Sequence, residues 1–377
     1  MDFKLERFRV LILLILIGLF AVAGVGMVLP HRINPIRIAL VVNPGDRGTT
    51  QEYLREGALL AVEEVNAGGG INSHPLELLI TESPVTRGGV ASSERTLLAA
   101  GIPVIIGHVP VSLSPGASSE GMSEGILMFD PYIATSKLSG LDDLFFRTSM
   151  DTRQYAEVMA KLLRMQQFRS VVFLLDMSHP DFALEYAEFT ARQFPGRTSQ
   201  IRINPGLGVD WEAVVSEIQG SETEAVVLLT QADITGIAAQ KLRQSGYNEP
   251  LIATIWAQTN DLMRFGGVAV EGLSLVTSVD PSVRHSDFLI FTKLMEKHFG
   301  NSTDAWSVHA FEAVMILAEA LRRCTEYSVP ELKQKLLNHR FRTLMGTLTF
   351  DAYGDVVRKV YEVKVADGKF VKVATLK

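Results

Sequence analysis

The sequence predicts an α/β fold made of two doubly wound, Rossmann-like lobes. From Ile36 onward, short runs rich in β-branched residues alternate with longer amphipathic segments. That alternation is typical of a parallel sheet covered by helices on both faces. The pattern occurs twice, before and after residues 145–148, so the second half has the same order of strands and helices as the first. With 377 residues, 47% hydrophobic and 21% charged, the chain is long enough for two domains of ordinary size.

The N-terminus carries a membrane-targeting signal. Residues 1–9 hold three basic side chains, and residues 10–29 contain no charge. The small residues 21–23 match a cleavage site, which would make the segment a removable signal peptide. The alternative, slightly favoured, is a retained anchor, because the apolar stretch approaches the ~20 residues of a spanning helix. In either case the rest of the chain, after a linker at 30–35, is delivered to the periplasm or outside the cytoplasm.

The first lobe opens with a buried strand at residues 36–42 and an amphipathic helix at 50–66. Glycines 68–70 end that helix, because glycine adopts left-handed backbone angles without steric cost. The alternation continues through a strand at 76–80, a helix at 89–100, a strand at 104–106, a helix at 112–124 and a strand at 126–129.

The second lobe repeats this order after residue 150. Its apolar runs predict strands, and the segments between them predict amphipathic helices. The strands are expected at 171–175, 199–203, 226–229 and 251–254, with helices at 155–166, 181–194, 211–219 and 234–244.

Three successive helices then break the alternation, at 287–299, 305–324 and 330–339, followed by strands at 347–350, 359–365 and 370–373. Successive helices cannot extend a parallel sheet, so they are expected to cover the first lobe while the final strands join the second. The chain would then cross between lobes near Ser149, Val279 and Met345. Lobe I would comprise residues 36–149 and 280–345, and lobe II residues 150–279 and 346–377.

Charge and motif patterns exclude several functions. The formal net charge is -6 and has no basic stripe, so nucleic acid is not an expected partner. The single cysteine, Cys324, rules out an intrachain disulfide. Neither the histidines nor the glycines form a zinc, phosphate-loop or dinucleotide motif, so no metal or cofactor is predicted. Ser123 lies in an esterase-like G-x-S-x-G pattern, but the helix precedes it and the strand follows it, so we predict no enzyme.

Several stretches resemble the periplasmic leucine-binding type of solute receptors that serve ABC transporters. Residues 57–69 read GALLAVEEVNAGG, similar to the family's helix ending in EEINAAGG. The resemblance continues through Ile106-Gly107, residues 125–136, the first crossover at 146–148 and the final one at 346–351. It covers nearly the whole chain after the linker. The resemblance implies a cleft between two lobes that closes on a small polar solute.

The resemblance also implies the site residues. Hydroxyls and main-chain amides of such receptors hold a ligand carboxylate, and helix dipoles assist them. The positions similar to the carboxylate-holding ones are Ser112, at a helix start, and residues Ala134, Thr135 and Ser136, after a strand. Lobe II should add the loop with Phe182, the loop with Gln231 and the turn with Trp256. Each of these side chains has a structural alternative, such as a helix cap for a hydroxyl or a core position for the tryptophan.

The sequence departs from the family where branched-chain amino acid receptors carry a carboxylate for the ligand's ammonium. Residues 255–259 contain no acid at that turn. An amino-acid ligand would therefore need another acid, such as Asp233, or Trp256 could stack on a ring or an apolar body. Delivery of a solute to an ABC permease is the predicted function. The alternative is a sensor that signals through a separate membrane partner.

Overall fold

The computed structural model describes residues 34–42, 50–82, 87–107, 122, 125–300 and 303–377. The predicted targeting segment at 10–29, most of the predicted helix at 112–124 and Ser112 lie outside these residues. Within the described part of the chain, no helix is both long and apolar enough to cross a membrane.

Two sheets organise the chain. The strands are β1 Ile36–Val42, β2 Leu76–Glu82, β3 Val104–Ile106, β4 Leu127–Asp130, β5 Phe145–Arg147, β6 Ser170–Asp176, β7 Arg197–Ile203, β8 Ala225–Leu229, β9 Leu251–Thr254, β10 Ser274–Thr277, β11 Phe341–Thr343, β12 Gly346–Leu348, β13 Tyr361–Ala366 and β14 Lys369–Thr375. The first sheet has the order β2-β1-β3-β4-β5 and is parallel throughout. The second has the order β14-β13-β10-β9-β8-β6-β7, in which β13 and β14 run antiparallel to their neighbours. The predicted two-lobed α/β fold is confirmed.

Helices cover both sheets. They are α1 Thr50–Ala67, α2 Arg87–Ala99, α3 Thr152–Met165, α4 Pro180–Gln193, α5 Trp211–Gly220, α6 Ala232–Gln244, α7 Asn260–Gly266, α8 Ser286–Phe299, α9 Ala305–Arg322 and α10 Val329–Leu337. The central strands are buried along their length, for example β6 and β8, because helices cover both of their faces. Helices α8 to α10 follow one another, and α9 packs on α1 of the first lobe, as the sequence predicts.

The contact between α1 and α9 is a close backbone approach. A Cβ added at Gly57 would lie 2.2 Å from the carbonyl oxygen of Ser307. Glycine is therefore required at position 57 to let the two helices meet at this distance.

Four strands differ from the expectation. β10 and β11 have no counterpart among the predicted strands. β5 is a strand of three residues that closes the edge of the first sheet, where the sequence pattern shows only a crossover. The strand expected at 347–350 is β12, and it pairs with β11 in a separate hairpin instead of joining the second sheet. The turn between them is short, and Gly346 takes a positive φ of 110° there. Neighbouring strands joined by so short a turn pair with each other at low entropic cost.

A buried ion pair connects the segments that run between the two sheets. Arg358 Nη2 lies 2.6 Å from Glu312 Oε2 of α9, and the two side chains are 6% and 0% exposed. Arg358 Nε donates to the carbonyl oxygen of Thr148 at 2.6 Å, and Glu312 Oε1 accepts from the amide of Met345 at 2.9 Å. The pair thus holds the segments near two of the predicted crossovers against α9.

Candidate functional site

The segment after β4 forms a tight turn at the carboxyl end of the first sheet. Asp130 Oδ1 accepts the amides of Tyr132 and Ile133 at 2.6 and 2.7 Å, which folds the chain back directly after the strand. The carbonyl oxygen of Ala134 accepts both the amide and the hydroxyl of Thr152, at 2.5 and 2.7 Å. Ala134 therefore joins this turn to the start of α3, and its own carbonyl is occupied.

Thr135 and Ser136 start a single 3-10 turn, Ser136–Leu138, at this strand end. Thr135 Oγ1 caps the turn by accepting the amide of Lys137 at 3.2 Å. Its hydroxyl still donates across to α4 of the second lobe, reaching Glu185 Oε1 at 3.0 Å. Ser136 donates its amide and its hydroxyl to Glu185 Oε2, at 3.0 and 3.2 Å. The predicted carboxylate-holding residues thus hold a carboxylate in this structure, one supplied by the chain itself.

Arg147 stabilises this turn by hydrogen bonds to Thr135 and Ser139. Its side chain is fully buried and donates from Nη1 to the carbonyl oxygen of Thr135 at 2.8 Å. Nη2 donates to Ser139 Oγ at 2.5 Å and lies 2.6 Å from Asp355 Oδ1, a close ion pair without hydrogen-bond geometry at that oxygen. The charge-assisted hydrogen bond from Nη1 holds the backbone of Thr135 in place.

The second lobe contributes an aromatic cluster. The ring of Trp256, 3% exposed, packs edge-on against Phe182 at 5.1 Å and against His179 at 4.9 Å. Trp256 Nε1 and His179 Nδ1 are buried and have no hydrogen-bond partner among the described residues. An indole N–H can only donate, so this face of the second lobe has an unused donor beside an apolar surface.

Gln231 lies at the N-cap position of α6, where its side chain makes no capping hydrogen bond. Asp233 follows in the first turn of α6. Burial raises the pKa of Asp233, and the nearby carboxylates of Asp261 and Asp176 add to the rise while backbone amides oppose it. A carboxyl with a raised pKa is a poorer partner for an ammonium than an ordinary one.

The structure brings part of the predicted site together. Thr135 and Ser136 share one partner, and Phe182 contacts Trp256, whereas Ser112 lies outside the described residues. Sequence reasoning missed Glu185. It lies three residues after Phe182 on α4, so the two side chains share a helix face, and that spacing is the signal that could have found it.

Comparison with known proteins identifies the family. Residues 35–369 match the family model described as "Periplasmic binding protein". The chain belongs to this family. As a periplasmic binding protein it is a solute-binding, extracytoplasmic protein and not an enzyme, as the sequence predicts.

Relatives of this binding protein are distant in sequence and similar in fold. The Leu/Ile/Val-binding protein homolog 1 of Brucella suis biovar 1 is 22% identical over 84% of this chain and 87% of its own length. The leucine-, isoleucine-, valine-, threonine- and alanine-binding protein of Pseudomonas aeruginosa is 20% identical over 80% of this chain and 82% of its own.

Two solved structures show the same fold with different ligands. The substrate-binding protein LivJ of Streptococcus pneumoniae, in complex with isoleucine, has a TM-score of 0.80 and 17% identity, covering 90% of this chain and 99% of its own. A solute-binding protein of an ABC transporter from R. palustris, in complex with benzoate, has a TM-score of 0.80 and 15% identity, covering 91% and 96%. The ligands of those two proteins share a carboxylate.

Proposed function

We propose that this binding protein captures a small carboxylate solute, foremost an amino acid, in the cleft between its lobes and delivers it to an ABC permease. The observation that carries the proposal is the set of donors on Thr135 and Ser136, which hold a carboxylate at the interface of the two lobes. The relatives bind amino acids, and the transporter names of the similar structures favour transport over sensing.

The proposal assigns roles to the remaining predicted residues. Ser112 would complete the carboxylate site from the first lobe, and Phe182, Gln231 and Trp256 would line the opposite side. Lobes I and II would meet along the boundaries near residues 149, 279 and 345, and closure would complete contacts from both. Residues 10–29 would direct the chain across the membrane, either as a signal peptide or as an anchor.

Thermal unfolding against a panel of solutes tests the proposal. A ligand at a hundred times its Kd stabilises the folded state by about 2.7 kcal/mol, so a true ligand raises the midpoint clearly. The panel holds leucine, isoleucine, alanine, leucinamide, benzoate and 4-methylpentanoate. We expect a rise with at least one carboxylate and none with leucinamide.

A matched pair of variants locates the site. Thr135→Val removes the hydroxyl and keeps the shape, so it should abolish most of the rise. Thr190→Val makes the same change in α4 at a buried hydroxyl with no partner among the described residues, and it should keep the rise. Equal responses of the two variants would contradict the proposed site.

A further inference from the structure

Glu185 occupies the anion-holding donors without a cation of its own. Both of its carboxylate oxygens accept hydrogen bonds, three in all, from Thr135 and Ser136. The nearby ammonium of Lys137 is paired instead with Asp181, at 2.5 Å. In the described part of the chain, Glu185 takes part in no ion pair. Its charge is therefore balanced by hydroxyl and amide dipoles alone.

These donors cannot serve Glu185 and a ligand carboxylate together. The hydroxyls of Thr135 and Ser136 and the amide of Ser136 carry one hydrogen each, and all three point at Glu185. Two carboxylates sharing such a site also repel each other, the more strongly because the surroundings are partly buried. A ligand that places its carboxylate on Thr135 and Ser136 must therefore displace Glu185.

The displaced carboxylate remains close to the site. Glu185 is anchored on α4 one turn from Phe182, which packs on Trp256, so its side-chain torsions can move its carboxylate off these donors while α4 stays in place. In an α-amino acid the ammonium is one carbon away from the carboxylate. The carboxylate of Glu185, once displaced from Thr135 and Ser136 by the ligand's carboxylate, is therefore within reach of the ligand's ammonium. The turn at 255–259 offers no acid for this role, and Asp181 is already paired.

We propose that Glu185 determines which charge type the cleft accepts. It holds the donors of Thr135 and Ser136 in the lobe arrangement described here, yields them to a zwitterionic solute, and then accepts that solute's ammonium. A plain carboxylate has nothing to pair with the displaced Glu185 and binds weakly. This inference rests on the proposed function, because it needs a ligand carboxylate at Thr135 and Ser136.

The variant E185Q tests the proposal with two probes of matched shape, L-leucine and 4-methylpentanoate, which is leucine without its amino group. Calorimetric titration of the purified protein gives the affinity for each. Glutamine keeps the length and one acceptor but removes the charge. We expect E185Q to bind leucine at least tenfold more weakly and 4-methylpentanoate more tightly than the unaltered protein does.

E188Q is the control. Glu188 lies on the same helix, is exposed, and among the described residues pairs only with Arg192 in the next turn, so E188Q should leave both affinities unchanged. An unchanged ratio of the two affinities in E185Q, with leucine binding intact, would overturn the role of Glu185 and leave the proposed function standing. A gain for both probes in E185Q would mean that Glu185 only competes with ligands, which also overturns it. If the unaltered protein binds neither probe and no other amino acid of the panel, the amino-acid ligand and this inference are both wrong.

Discussion

Replacing Arg358 by methionine should destabilise the protein strongly. Its partner Glu312 is fully buried, and the two charged atoms lie 2.6 Å apart. With charge centres about 4 Å apart and an effective dielectric constant of about 20, their attraction is worth about 4 kcal/mol. Loss of one partner leaves a buried, uncompensated carboxylate, which typically costs about 3–5 kcal/mol. We expect R358M to lose that amount of unfolding free energy.

Urea unfolding at pH 7, followed by circular dichroism, measures the free energy for R358M and for the double variant R358M/E312M. The double variant removes both charges and fills the space with apolar side chains. It should recover most of the loss, because a well-packed apolar pair is often as stable as a buried ion pair. R37M is the control: Arg37 pairs with Glu77 at 2.8 Å, the two side chains are 52% and 53% exposed, and such pairs contribute about 0–1 kcal/mol.

Two results would refute this reasoning. A loss below about 1 kcal/mol in R358M would mean that Glu312 is hydrated or neutral without its partner. A double variant as unstable as R358M would mean that the arginine acts through its hydrogen bond to Thr148 and its packing, not through the charge of Glu312.

Three further predictions concern pH and packing. Burial raises the pKa of Asp304 from 3.8 to about 7. Because this carboxyl ionises at lower pH in the unfolded chain than in the folded protein, the free energy of unfolding should fall by roughly 4 kcal/mol between about pH 4 and 7. D304N should flatten that slope. Burial lowers the pKa of His309 well below 6.5, so stability should also fall as the pH drops through 6.5, a slope that H309Q should remove in denaturant titrations. G57A should lower the thermal midpoint by the equivalent of at least about 1–3 kcal/mol, because its Cβ meets the carbonyl of Ser307 at 2.2 Å; an unchanged midpoint would show that α1 and α9 can separate freely.

Much of the fold could be predicted from local pattern. Strands β3 and β9 have the bounds that their apolar runs indicate, β8 is one residue longer at its start, and β6 is one residue longer at each end. Strands buried on both faces appear in the sequence as continuous apolar runs between turn residues, so their composition alone predicts their burial. β5 could not be found in this way. Its pairing with β4 depends on the neighbouring strand, not on its own sequence.

The candidate site also has a part that the sequence predicts and a part that it does not. The hydroxyls of Thr135 and Ser136 follow a predicted strand, and the carboxyl ends of parallel strands are where such sheets bind ligands, so their place was predictable. The pairing of these hydroxyls with Glu185 was not predictable. Glu185 is 50 residues from Thr135 along the chain and on the other lobe, where no periodicity connects the two.

The sequence by itself determined the α/β alternation, the two similar halves and the hydroxyls at the strand end, because these depend on residues close together in the chain. Only the tertiary structure decided that Glu185 accepts from those hydroxyls, that Trp256 packs against His179 and Phe182, and that Arg358 is buried against Glu312. Each of these contacts joins segments that are distant along the chain and meet only when the helices and loops pack on the sheets. The physical reason is that a long-range contact depends on how the packed elements meet, and local propensity carries no information about that meeting.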